Sequence, residues 1–206
     1  MESYVTVYDS STWEQVIEKS RFIGVVYPVS TVAEVEQRLL EVRQNYPNAR
    51  HYVFAYRLFQ GKLEKSTDDG EPQGTGGRPV LDVLQYRQIW DVLIVVIRYF
   101  GGVLLGAGGL TRAYGSTARQ LMDNASVGRL VPHQIYELEA GYDWYEPLKY
   151  WFKQFSWTTG KEDFLATVKI QVYIPWEEKE RFLAWLADFT DRKIVPKELD
   201  IALRPE

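Results

Sequence analysis

Three arginines set among glycines are the residues of this chain best suited to binding chemistry. Arg78 closes the stretch Asp68-Asp69-Gly70-Glu71-Pro72-Gln73-Gly74-Thr75-Gly76-Gly77-Arg78-Pro79. Arg98 and Arg112 bracket a second stretch that contains Gly101, Gly102, Gly106, Gly108 and Gly109. Guanidinium groups suit bidentate contact with phosphate or carboxylate, and glycines let a ligand approach the backbone closely. Gly106, Gly108 and Gly109 precede a predicted helix, whose first amides could cradle an anion. With Arg112 in the first turn, Arg98 ending the preceding strand and Arg78 on the other loop, the three would converge on one anion- or RNA-binding site. The structural alternative is that the glycines permit a tight strand-to-helix crossing and the arginines pair with Asp68, Asp69 or Asp91.

Other chemistries have weaker support. Asp68, Asp69 and Glu71 could hold Mg²⁺ through oxygen ligands, or they could serve as a solvated turn and as arginine partners; the sequence leaves both open. Only two histidines, His51 and His133, and no cysteine are present, which excludes zinc sites unless carboxylates supply most ligands. No G-x-S-x-G elbow and no Walker A sequence occur, so no catalytic residue is assigned and no cofactor is expected. The aromatic run Trp144, Tyr145, Tyr150, Trp151, Phe152, Phe155 and Trp157, interleaved with Lys149 and Lys153, has the composition needed for base stacking. Helical spacing assigns Trp151, Phe152 and Phe155 to a core, leaving Trp144, Tyr145 and Tyr150 for a surface.

The elements that must position these residues follow from periodicity. The segment 13–19 and Arg21 to Tyr27 read as two adjacent strands. Ser30 or Thr31 caps a helix, with Glu34 placed to close a capping box from Thr31 and Val32, Val35, Leu39 and Val42 forming its buried stripe. Tyr52, Phe54, Tyr56 and Leu58 share a strand face, and Pro79 to Arg87 forms a helix. Val92 to Ile97 lacks polar alternation, as expected of a strand buried on both faces. Leu110, Ala113, Tyr114, Thr117 and Leu121 then repeat at helical spacing.

Gly128 and Pro132 mark a boundary, giving domains 1–133 and 134–206. Beyond it the order is β-α-β-β-α-β, with Asp143 as a helix cap and an alternation from Ala166 to Ile174. Two helices on one face of a four-stranded antiparallel sheet make a ferredoxin-like domain, and the whole chain is α+β.

The 206 residues carry a net charge of −4. Residues 1–133 hold 14 basic and 14 acidic side chains, and 134–206 hold 10 and 14. Neither half grips nucleic acid by charge alone, although a localised RNA site stays open. The longest apolar run, six residues, is far short of the ~20 needed to span a bilayer. The N-terminal residues show no signal-peptide pattern. A cytoplasmic protein with no membrane partner is expected.

The motifs Asp68-Asp69-Gly70-Glu71-Pro72, Gly76-Gly77-Arg78-Pro79 and Arg98-Tyr99-Phe100-Gly101-Gly102, with Leu105-Gly106, Gly109-Leu110 and Arg112-Ala113-Tyr114, closely resemble the signature of the YigZ/Impact family. Lys19-Ser20-Arg21-Phe22-Ile23 and Ala49-Arg50-His51 match its earlier elements; Val53 stands where relatives often carry cysteine. The resemblance implies a first domain like the second domain of ribosomal protein S5 and a second like the terminal domain of elongation factor G. It gives Arg21, His51 and the acidic motif no defined role. It also implies a regulator of translation that acts through RNA, the ribosome or a protein partner of the translation apparatus. An enzyme or sensor binding a phosphorylated small molecule and a pure protein-interaction adaptor are the alternatives, and binding is favoured over catalysis.

Overall fold

Residues 2–206 are described by the computed structural model, which divides into the units Tyr4–Arg129 and Leu130–Glu206, the latter joined by residues 2 and 3. In the first unit β1 (Tyr4–Val7) is held by a parallel bridge from Val5 to Ile89, and Trp90 N–H donates to the Val5 carbonyl at 2.9 Å. β2 (Ser11–Ile17) and β3 (Ser20–Pro28) form the expected strand pair. Glu18 and Lys19 turn it with φ of 45° and 64°, both in the left-handed region that a tight hairpin needs.

Helix α1 (Val32–Asn45) starts as the capping pattern requires, with Glu34 N–H donating to Thr31 Oγ1 at 3.2 Å. The Glu34 carboxylate reaches one residue further back than a capping box does and accepts the Ser30 N–H at 2.6 Å. Val35 and Val42 are buried, but Val32, the first helical residue, faces solvent and leaves the expected stripe.

β4 (His51–Leu58), β5 (Leu63–Thr67), α2 (Gly77–Tyr86), β6 (Val92–Tyr99) and α3 (Gly106–Asp123) complete the unit. Its sheet has the order β2-β3-β6-β4-β5 and is antiparallel throughout. Every side chain from Val92 to Ile97 is sealed from solvent, because helices cover both faces of β6. Ile94 and Val96 meet α2 and α3 through Leu84, Tyr114 and Leu121. Leu93, Val95 and Ile97 meet Val35 and Val42 of α1. β5 escaped the periodicity reading because Leu63-Glu64-Lys65-Ser66-Thr67 lies at the sheet edge and has no apolar alternation.

The second unit contains β7 (Val127–Ala140, from Leu130 onward), α4 (Tyr142–Gln154), β8 (Thr158–Phe164), β9 (Val168–Pro175), α5 (Lys179–Phe189) and β10 (Lys197–Pro205). The antiparallel order β10-β7-β9-β8 is the ferredoxin-like arrangement. Leu148 and Phe152 of α4 and Phe182 and Leu186 of α5 bury one sheet face. Asp143 is not the cap: α4 begins at Tyr142 with Gly141 before it, which leaves Asp143 inside the first turn. Ala166 falls in the exposed β8–β9 turn, so the alternation begins at Val168. Along β10 the register shifts between Glu198 and Ile201, and the buried Gln134 amide donates to the Leu199 carbonyl at 2.7 Å there.

Candidate functional site

Strand register brings distant motif segments to one end of the first sheet. Arg98 pairs with Phe22 on one side and His51 on the other, so Ser20 and Arg21, His51 and the C-terminal end of β6 stand side by side. The loop after Thr67 closes over this end.

Within that loop each acid has an internal partner. The Asp68 carboxylate accepts N–H bonds from Gly74 at 2.8 Å, Gly76 at 2.9 Å and Gly77 at 2.8 Å. Partial burial opposes its ionisation, yet these three amides together hold its carboxyl below the usual range. Asp68 therefore occupies the anion position at the start of α2, which has no side-chain cap of its own. Asp69 accepts the Tyr52 N–H at 2.6 Å and pairs with Arg43 at 3.1 Å.

Glu71 lies deepest. Arg98 Nη1 and the Tyr114 hydroxyl both donate to its Oε1 at 2.7 Å, and His51 Nε2 lies 3.7 Å from Oε2. The glutamate and arginine side chains are 4% and 6% exposed, so this is a desolvated ion pair that needs its extra hydrogen bonds. Arg98 Nη2 also reaches Ser20 Oγ at 3.3 Å, while its buried Nε has no partner among the described residues. Burial, and then the bond to Glu71, push the Tyr114 hydroxyl far above its ordinary pKa, so it stays a donor. His51 Nδ1–H donates to the Asp69 carbonyl, 2.8 Å away. Gly70, at φ 87°, passes just under the His51 ring. Pro72 is exposed at the loop surface.

Around the second glycine stretch the backbone is crowded at one point and open at others. A Cβ on Gly101 would overlap the Lys19–Ser20 backbone, and the Gly101 N–H donates to Ser20 Oγ at 3.2 Å. Gly102, Gly106 and Gly108 face open space, and Gly109 lies against the Leu105 side chain. α3 begins at Gly106, so the glycines lie inside its first turn and Arg112 lies in the second.

The structure thus gathers Glu71, Arg98 and His51 but leaves the other two arginines apart. Arg78 pairs with Asp82 at 2.7 Å on the outside of α2. Arg112 is two residues from Tyr114, about 200° around the helix, and is exposed. Arg21 makes a bidentate surface pair with Glu14. Tyr114 and Ser20 join the network although periodicity marked Tyr114 only as core and Ser20 not at all. Among the described residues no group of three or more acidic, histidine or cysteine side chains could hold a metal ion.

In the second unit the aromatic run is largely engaged. Tyr145 donates to Glu162 at 2.6 Å, Lys149 pairs with the same carboxylate at 3.0 Å, and Trp144 packs edge-on against Phe189. Tyr150 is exposed, and Trp151 is more exposed than a core assignment allows. No helix among the described residues is long and apolar enough to cross a membrane.

A two-unit mixed α/β protein with a paired acidic-glycine motif at one sheet end is the class these features define. Residues 18–122 match the Impact N-terminal domain, and residues 138–191 match a domain of unknown function, DUF1949. The chain is 34% identical to the IMPACT family member YvyE of Bacillus subtilis, over 96% of this chain and 92% of the relative. It is 33% identical to the IMPACT family member YigZ of Escherichia coli, over 92% and 95%. A crystal structure described only as that of a hypothetical protein aligns with a TM-score of 0.63 at 30% identity, covering 97% of this chain and 98% of the other. The chain belongs to the IMPACT family.

Proposed function

We propose that this chain is a binding protein that regulates translation by contact with RNA, the ribosome or a protein of the translation apparatus. The observation that carries the reading is the closure of the Glu71–Arg98–Tyr114 network. Its charged groups are committed to one another and fix the shape of a surface, as a binding platform requires. Two cations face outward at that sheet end beside the exposed Glu18: Lys19 and Arg50 are exposed and make no ion pair among the described residues. Such groups attract phosphate or acidic partners without a deep cavity. The link to translation comes from the family signature.

Sedimentation of cell extract through a sucrose gradient tests it. The full chain should travel with ribosomal particles at low salt and be released at high salt. Lys19→Ala with Arg50→Ala should shift it towards the top of the gradient while its circular dichroism is unchanged. A chain that stays at the top under all conditions would remove the translation reading.

A further inference from the structure

On the outer side of α2 and α3 lies a groove of about 480 Å³, whose lining includes Pro79, Val83, Tyr86, Arg112, Gly115 and Arg119. It is separate from the motif network, because Arg112 and Tyr114 point to different sides of α3. Three features mark it as a surface built to receive something. Tyr86 is 90% exposed at its rim, an unusual position for a large aromatic side chain. Arg112 and Arg119 make no ion pair among the described residues, and Asp82 and Arg87, which also line it, are neutralised by Arg78 and Asp123. Gly115 sits between the two free arginines where helix formation disfavours glycine. The nearest groups to a Cβ there would be the Arg119 guanidinium at 3.4 Å and Pro79 at 3.6 Å, both ordinary contact distances. Packing at these distances tolerates a Cβ, and the buried glycine leaves this part of the groove floor without a side chain.

We infer that this groove docks an acidic amphipathic helix of a protein partner. Arg112 and Arg119 are seven residues apart, about 10.5 Å along α3. Carboxylates at i and i+7 of a helix lying alongside have the same spacing. Its apolar stripe would rest on Pro79 and Val83, with Tyr86 as the aromatic anchor, the helix-in-groove mode of recognition. A single-stranded RNA would need a longer cationic track and several stacking rings, and Tyr86 is the one aromatic residue lining this groove. The inference uses the binding-protein reading above but not its link to translation.

The test is selection of a random peptide-display library on the full-length chain, followed by fluorescence anisotropy with synthesised winners. Enriched peptides should carry acidic residues flanking a helical apolar stripe. Arg112→Ala with Arg119→Ala should weaken them about tenfold or more, as loss of charge-assisted contacts does. Tyr86→Ala should weaken them about as much; because Tyr86 is solvent-exposed, this variant keeps the test valid if the arginine pair proves to disturb folding. The proposal fails if nothing is enriched, if the winners are basic or purely apolar, or if acidic winners ignore both variants. It also fails if a uridine oligonucleotide binds more tightly and depends on the same arginines. Loss of ribosome sedimentation with peptide binding intact would remove the translation reading and leave this one standing.

Discussion

In the first unit β6 keeps every side chain from Val92 to Ile97 out of water, because α2 and α3 cover one face and α1 the other. In the second unit β9 alternates: Val168, Ile170, Val172 and Ile174 point into the helices, while Lys169, Gln171 and Tyr173 occupy the other face. The charges differ accordingly. Where a doubly covered sheet ends, an ionised side chain is dehydrated and must carry its own partners, as Arg98 does with Glu71 and Ser20. On the one-sided sheet, Glu137 lies 3.7 Å from Lys197, and Lys161 pairs with Asp163 at 2.9 Å, all within reach of water that screens them. Equal-looking charges in the sequence therefore have unequal structural weight.

The sharpest way to break this contrast is Glu71→Ala, which leaves Arg98 buried without its counter-charge. It should cost about 3–5 kcal/mol, read by urea unfolding together with hydrogen exchange of the 92–99 segment. A loss below about 1 kcal/mol, the range of exposed pairs, would mean the two sheet ends are not different. Ile170→Ala should cost about 2–5 kcal/mol through lost burial and a cavity, in the same measurement. That loss would show the second sheet depends on its apolar face as the first depends on its paired charges.

Asp68 sharpens the comparison through pH. Its carboxyl is held below the ordinary range, so the folded state binds that proton more weakly than the unfolded chain. The resulting stability is complete above the unfolded value of about 3.9 and is lost as pH falls through the lower folded value. Asp68→Asn should flatten this part of an acid-unfolding curve below about pH 4, and an unchanged curve would contradict the role of the three amides. The smallest effect is expected for Lys169→Ala, within about 0.5 kcal/mol in urea unfolding. A larger loss would show that the second sheet's polar face carries stability after all.

Much of the fold was legible because it rests on local pattern. The uninterrupted apolar run at Val92–Ile97, the alternation from Val168 to Ile174 and the Thr31–Glu34 pair each imply their element without knowledge of neighbours. The site was less legible. Arg78, Arg98 and Arg112 look alike among glycines, yet one is buried, one is paired along its own helix and one faces a groove. The seven-residue interval from Arg112 to Arg119 was a readable signal that both share a face of α3, but not that α2 would form the opposite wall.

By itself the amino-acid order determined most strands and helices, through periodicities of two and 3.6 residues, and it carried the family motif in its residue types. Only tertiary structure decided the partners of each charge. Antiparallel register set Arg98 beside His51, loop closure delivered Glu71 to it, and helix rotation sent Tyr114 inward and Arg112 out. Pairing energies depend on distance and dehydration, and both are created when remote segments meet.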